Sequence, residues 1–388
     1  MMDLLYNLSD KGNYLIMRVQ NVNIEIIREA AKTIQTAEIS KSFPKIGNWV
    51  NGDIMPTVNQ LIKLAKAANI PFGYFFLESL PSPKYTIPHY RTLYNKNFEA
   101  SINLSETIEI VKERQQWAKD ILVELGNEPL YFAGKTTIES SVEQTALLIQ
   151  EILEISGGWA ENLPRWTDAL KMLIKKTENA GIFVMVNGVV GNNTRRKLDV
   201  KEFRGFVLYD DVAPFIFING TDTISGKIFT LIHEIVHILV GVSASFDLHK
   251  LNPASNKTEI FCDKVTAEFL VPKNQILQQV KMTNIDYVNL SRVFKVSQIV
   301  IARRLLDIGY ISKADYFEFY DDYIQKEYVS SKKKGGNFYN IIPYRVSKKF
   351  FNLIHTSVKQ NRIFYRDAFR LTGLKSKTYD EYLNRDNS

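Results

Sequence analysis

The sequence predicts an α+β protein: a helical N-terminal module, a central domain in which helices flank a small sheet, and a helical C-terminal region. Three observations carry this. Residues 22–80 repeat apolar side chains at helical spacing between turn signals. From residue 182 the pattern changes to β-branched and aromatic runs, IFVMV, FRGFVLY and APFIFING. An unbroken apolar helix, Ile228–Val242, then follows the last run.

In chain order, residues 1–16 read as an extension of a module that spans 1–80. Ile24, Ile26, Ile27, Ala30, Ala31 and Ile34 make its first helical stripe. Phe43-Pro44 opens a short helix closed by Trp49, Asn51-Gly52 is a turn, and Pro56-Thr57 starts a third helix. Short helices joined by tight turns suit a helix-turn-helix module. Residues 81–100, with three prolines, read as a linker. A domain is expected over 101–285, with helices at 104–126, 142–154 and Trp166–Ala180 before the strands. Gly191-Asn192-Asn193-Thr194 is expected to be a turn, and Thr258–Leu270 a helix stopped by Pro272. Residues 286–330 form a further region, with two helices over 290–307 around a turn at Lys295–Ser297. A basic helical region is expected over 337–388, behind the polar segment Ser331–Gly336.

Composition excludes several classes. A single cysteine rules out a scaffold held by intrachain disulfides. No segment approaches the roughly 18–20 apolar residues of a membrane span, and the N-terminus lacks a basic leader with a long apolar core. A cytoplasmic protein is expected. The net charge is +7, and residues 321–388, with 14 Lys and Arg against 7 Asp and Glu, carry all of that excess. A basic tail fits an acidic partner such as nucleic acid and equally a solvated surface.

The chemistry lies in Leu231-Ile232-His233-Glu234-Ile235-Val236-His237, an H-E-x-x-H sequence. Residues four apart share a helix face, so both imidazoles can reach one ion. Glu234 projects beside them, placed to take a proton from water at that ion. The flanking residues are apolar, so the helix is buried, and buried polar side chains need partners. Two of the five histidines fall in this motif. Catalytic zinc requires a third protein ligand and an open position. Glu259 and Asp263 lie four apart on the next helix, and geometry alone leaves either eligible. His249, in a polar loop, and Cys262, read as a packed thiol, are weaker candidates.

The segment Glu259-Ile-Phe-Cys262-Asp263-Lys-Val-Thr266-Ala267-Glu268-Phe-Leu270-Val-Pro272, behind the H-E-x-x-H helix, resembles the ImmA/IrrE-type zinc metallo-endopeptidases. The resemblance implies a zincin-like domain in which Zn²⁺ is held by His233, His237 and Glu259, Glu234 is catalytic, and Asp263 supports the site. Thr266 stands where the family usually has alanine. Trp49-Val50-Asn51-Gly52 and Pro56-Thr57-x-x-Gln60-Leu61 resemble phage-repressor-like DNA-binding modules, with Val50 in place of the usual glutamate. Arg204-Gly205-Phe206 and Val189–Thr194 also look like the branch in which such a module precedes the peptidase. The resemblance implies a narrow protein substrate, a transcriptional repressor, in stress or mobile-element gene regulation. Nucleic-acid contacts are expected at Lys41, Lys45, Arg303 and Arg304. Two alternatives stand beside this reading: a DNA-binding transcriptional regulator with a non-catalytic zinc site, and a toxin–antitoxin component whose peptidase domain binds its partner. The oligomeric state is left open.

Overall fold

The computed structural model describes residues 19, 21–34, 42–68, 70, 72–79, 100–241, 256–282, 285–327 and 344–386. The chain divides into two compact units, Met1–Pro83 and Lys84–Ser388.

The described part of the first unit is helical: α1 (Ile24–Thr33), α2 (Ile46–Asn51), α3 (Val58–Ala68) and a 3-10 turn at Phe72–Phe76. Asn23 caps α1 by accepting from the Glu25 amide at 2.9 Å. Its amide group donates to the Leu77 and Glu78 carbonyls, so one side chain joins the start of the unit to its end. Thr57 and Gln60 form a reciprocal capping box for α3. Trp49, Leu61, Leu64 and Phe75 fill the core.

The second unit is built on a three-stranded mixed sheet of order β1-β5-β4. The strands are β1 (Phe183–Asn187), β4 (Gly205–Leu208) and β5 (Phe215–Asn219). β5 pairs parallel with β1 and antiparallel with β4, leaving β4 at an edge. Between β1 and β4, β2 (Val189–Val190) and β3 (Asn193–Lys197) form an antiparallel hairpin where the sequence predicts only a turn. The run Asn-Thr-Arg-Arg-Lys has no apolar alternation to betray a strand. Tertiary contacts hold it instead: buried Arg196 donates to Asn103 at 3.1 Å and to Glu106 at 2.5 Å.

Side chains alternate across the sheet, and each face builds its own core. Val184, Val186, Val207, Ile216 and Ile218 point to one face. They pack with α5 (Val142–Ile152), α6 (Trp166–Asn179), α7 (Ile224–Val240) and α8 (Asn256–Leu270). After α9 (Lys273–Met282), the pair α10 (Tyr287–Phe294) and α11 (Gln298–Asp307) joins the same core, followed by α12 (Lys313–Glu327). The opposite face is aromatic: Phe183, Phe206, Phe215 and Phe217. Phe183 stacks on Phe215 at 4.5 Å between ring centroids, and Phe206 on Phe217 at 5.1 Å. That face is covered by α4 (Ile102–Glu124) and by the C-terminal helices α13 (Lys348–Lys359), α14 (Tyr365–Thr372) and α15 (Ser376–Asp386). No helix among the described residues is long and apolar enough to cross a membrane.

Two buried polar side chains fasten the C-terminal helices. Arg114 of α4 donates to the carbonyls of Leu371 at 2.8 Å, Thr372 at 3.2 Å and Arg345 at 3.4 Å, closing the C-terminus of α14. Burial alone lowers its pKa to about 10, which leaves it cationic at neutral pH. Glu178 of α6 accepts from Ser347 Oγ at 2.5 Å and from the Lys349 amide at 3.3 Å, at the N-terminus of α13. Replacing Arg114 with methionine keeps its bulk and strands the Leu371 and Thr372 carbonyls. It is expected to lower stability by about 2 kcal/mol, read as a shift in the urea midpoint with unchanged slope.

Candidate metal centre

Helix α7 carries both histidines and owes its position to its two ends. Thr223 caps it by accepting from the Gly226 amide at 3.0 Å. Gly241 ends it in the left-handed region at φ 51°, where a Cβ would lie 2.3 Å from Gly134 Cα. Every residue from Lys227 to Leu239 is buried. Helix α8 lies against α7 and presents Glu259, Cys262 and Asp263 on one face.

Three donor atoms converge. His233 Nε2 lies 3.1 Å from His237 Nε2 and 3.1 Å from Glu259 Oε2. His237 Nε2 lies 3.4 Å from Glu259 Oε1. Tetrahedral zinc with bonds of about 2.0–2.1 Å sets neighbouring ligand atoms ~3.3–3.4 Å apart. The triangle therefore has the size of one face of a zinc tetrahedron, and one vertex stays open. The donor set also fits a cation. Two imidazole nitrogens turned toward each other at 3.1 Å need either a shared proton or an ion between them. Burial disfavours the charged form of His233. Even so, contacts with Asp263 and Glu259, with the charge of Glu234, outweigh burial and raise its pKa to about 9.

The outer nitrogens are held as well. His233 Nδ1 lies 3.1 Å from Asp263 Oδ1, and His237 Nδ1 lies 3.5 Å from Cys262 Sγ. Such contacts orient a ring so that Nε2 meets the ion. Burial and the carboxylates of Glu259, Glu234 and Asp263 push the Cys262 thiol up, so it stays protonated. The triangle thus gathers His233, His237 and Glu259, while Asp263 stands behind a histidine at the back of the site.

Glu234 is 3% exposed and lies between the metal face and the edge strand β4. A Cβ on Gly205, the first residue of β4, would fall 2.4 Å from Thr230 Cγ2, 2.8 Å from the Phe217 carbonyl and 3.7 Å from Glu234 Oε1. Only glycine lets this strand press onto α7 beside Glu234.

An H-E-x-x-H helix with a glutamate from the following helix defines a metallopeptidase domain. The comparison with family models narrows this: residues 177–306 match the IrrE N-terminal-like domain, a peptidase family, and residues 346–385 match a domain of unknown function, DUF8813. No curated protein and no solved structure matches the chain.

Other expected site residues fall elsewhere. Arg304 is a correction. It is buried, donates to the Val271 carbonyl at 3.0 Å and pairs with Glu268, so it braces the end of α8 and offers no charge to nucleic acid. Arg303 is exposed, with its guanidinium 2.9 Å from Asp307 one turn on. Lys45 is exposed at the start of α2. Lys41 and His249 lie outside the described residues. Sequence reasoning missed the partnership of Cys262 with His237, although its spacing from Glu259 places it on the site-facing side of α8. It noted Gly205 without seeing its role, because the close approach to α7 has no local signal.

Two outcomes follow. Asp263→Asn should weaken metal binding about 10- to 100-fold, measured by competition with a chromogenic chelator. Gly205→Ala should cost about 2 kcal/mol of stability while leaving metal content intact, read by thermal unfolding beside elemental analysis.

Proposed function

We propose that the chain is a zinc-dependent endopeptidase that cleaves one specific protein, a transcriptional repressor, in stress or mobile-element gene regulation. The observation that carries the reading is the tetrahedron-sized triangle of His233, His237 and Glu259 with buried Glu234 beside it. The repressor substrate is what the resemblance of residues 259–272, behind the H-E-x-x-H helix, to the ImmA/IrrE-type peptidases implies, and the resemblance of residues 49–61 to phage-repressor modules is in keeping with it. The N-terminal unit would serve as a helix-turn-helix that brings the enzyme to operator DNA or to a repressor of like fold.

His233, His237 and Glu259 would hold the ion. When bound, zinc supplies Lewis acidity that makes water nucleophilic near neutral pH and polarises the scissile carbonyl. Glu234 takes the proton from the attacking water and passes it to the departing amide nitrogen, as general base and then general acid. Asp263 holds the His233 ring in place. β4, at the edge of the sheet beside Glu234, offers backbone groups to an extended substrate segment, aligning the bond to be cut.

Elemental analysis of protein purified without chelators should find about one zinc per chain, lost in His233→Ala and Glu259→Ala. Glu234→Gln should keep the metal. Incubated with candidate phage-type repressors, that variant should cleave at least about 1,000-fold more slowly than wild type. Full cleavage by Glu234→Gln would end the mechanism. Zinc without any cleavage of such repressors would favour a regulator with a non-catalytic site.

A further inference from the structure

A second concave site lies away from the metal, where α6 meets the N-terminus of α13. The cavity holds about 650 Å³ and is lined by Lys171, Ile174, Lys175, Glu178, Asn179, Tyr344, Lys348, Lys349 and Asn352. That volume falls in the range of small-molecule sites. It spans the joint between the two matched regions, since Asn179 belongs to one and Lys349 to the other.

Its charge is one-sided. Four lysines face it, and Glu178 is the one carboxylate among its described lining residues. Glu178 is turned into the protein, where it accepts from Ser347 Oγ and the Lys349 amide. Lys171 and Lys175 sit one turn apart on α6 and are exposed. Lys348 and Lys349 occupy the first turn of α13, where the helix dipole also favours an anion. Lys349 Nζ stands 5.5 Å from the centre of the Phe183 ring, which draws one ammonium inward from the mouth. Burial lowers the pKa of Lys349, against the opposing charge of Glu178.

The lining also selects among anions. No arginine is among its described residues, so the planar fork that grips a carboxylate or a phosphate bidentately is missing and recognition rests on charge. Lysines act as point charges and suit the rounded, multiply charged phosphate group. The rest of the wall, half-buried Tyr344 and buried Ile174 with two side-chain amides, suits a ring carrying polar substituents. A duplex would need an open basic stripe, whereas this is a hollow. We propose that the cavity binds a phosphate-bearing small molecule of nucleotide size, its phosphates on Lys171, Lys175 and Lys348 and its ring against Tyr344. Such a ligand would clamp the C-terminal helices to α6, the helix that packs beside metal-bearing α7.

The test uses the full zinc-loaded chain, with ATP as its magnesium salt, adenosine and a short DNA duplex as probes, followed by calorimetry and thermal unfolding. ATP at about 5 mM should raise the melting temperature by several degrees. Lys171→Gln/Lys175→Gln should weaken ATP binding at least about tenfold, and Tyr344→Ala should weaken it less. The charge-matched control Lys135→Gln/Lys313→Gln should leave it unchanged, and both lysine double variants should melt like wild type without ligand. The proposal is overturned if ATP does not bind at about 5 mM, if adenosine binds as tightly as ATP, or if the control loses as much as the cavity variant. It is also overturned if the duplex, and not ATP, binds through Lys171 and Lys175.

Discussion

Two imidazoles and a carboxylate held about 3 Å apart inside a protein form the constraint that organises the second unit. Polar groups at that depth need partners, and a cation would satisfy all three donors at once. The geometry has to bring them together. It depends on two helices, α7 and α8, whose relative position admits little error. Gly241 and Thr223 fix where α7 begins and ends. Arg304, clamped on Glu268 and Val271, fixes the far end of α8. Cys262 and Asp263 then fix how the rings are turned. Buried charge away from the site serves the site, which is why Arg304 sits inside.

What was legible in the sequence divides along the range of the interactions. The H-E-x-x-H helix could be read directly, because both histidines and their apolar flanks are local. The third ligand could not be chosen from spacing, since Glu259 and Asp263 share a face and both end near His233. They differ only in which imidazole nitrogen they approach, and that is set by the crossing of two helices. The sheet was legible as strands, from β-branched and aromatic runs. Its hairpin was not, because Arg196 is held by α4 about ninety residues earlier. Arg304 misled for the same reason: a pair of arginines after a turn looks like a basic face until Glu268 is brought against one of them.

The sheet's alternation also explains what the C-terminal helices do. A strand with Val and Ile at alternate positions and Phe at the others has two faces to bury. The helices that carry His233, His237 and Glu259 cover only the aliphatic one. Phe183, Phe203, Phe206, Phe215 and Phe217 are each under 2% exposed, and they owe this to α4 and the C-terminal helices. Burying five such rings is worth on the order of 10 kcal/mol, comparable with the whole net stability of a domain. The region matching DUF8813 is thus a wall of the same fold as the peptidase region, and residues 177–306 alone would leave a broad aromatic face in water.

That dependence links the two ends of the second unit physically. Phe217 contributes its ring to the aromatic core and its carbonyl to the close approach at Gly205, beside Glu234. A disturbance that loosened α13 or α14 would first reach the rings stacked on β1 and β5, then the pairing of β5 with β4. β4 is the strand that Gly205 presses onto α7. The path from the C-terminal helices to the metal face therefore runs through packed side chains and one sheet register, with no loop between. A site whose three donors must converge to within about 3 Å is well served by a scaffold in which both faces of its sheet are sealed.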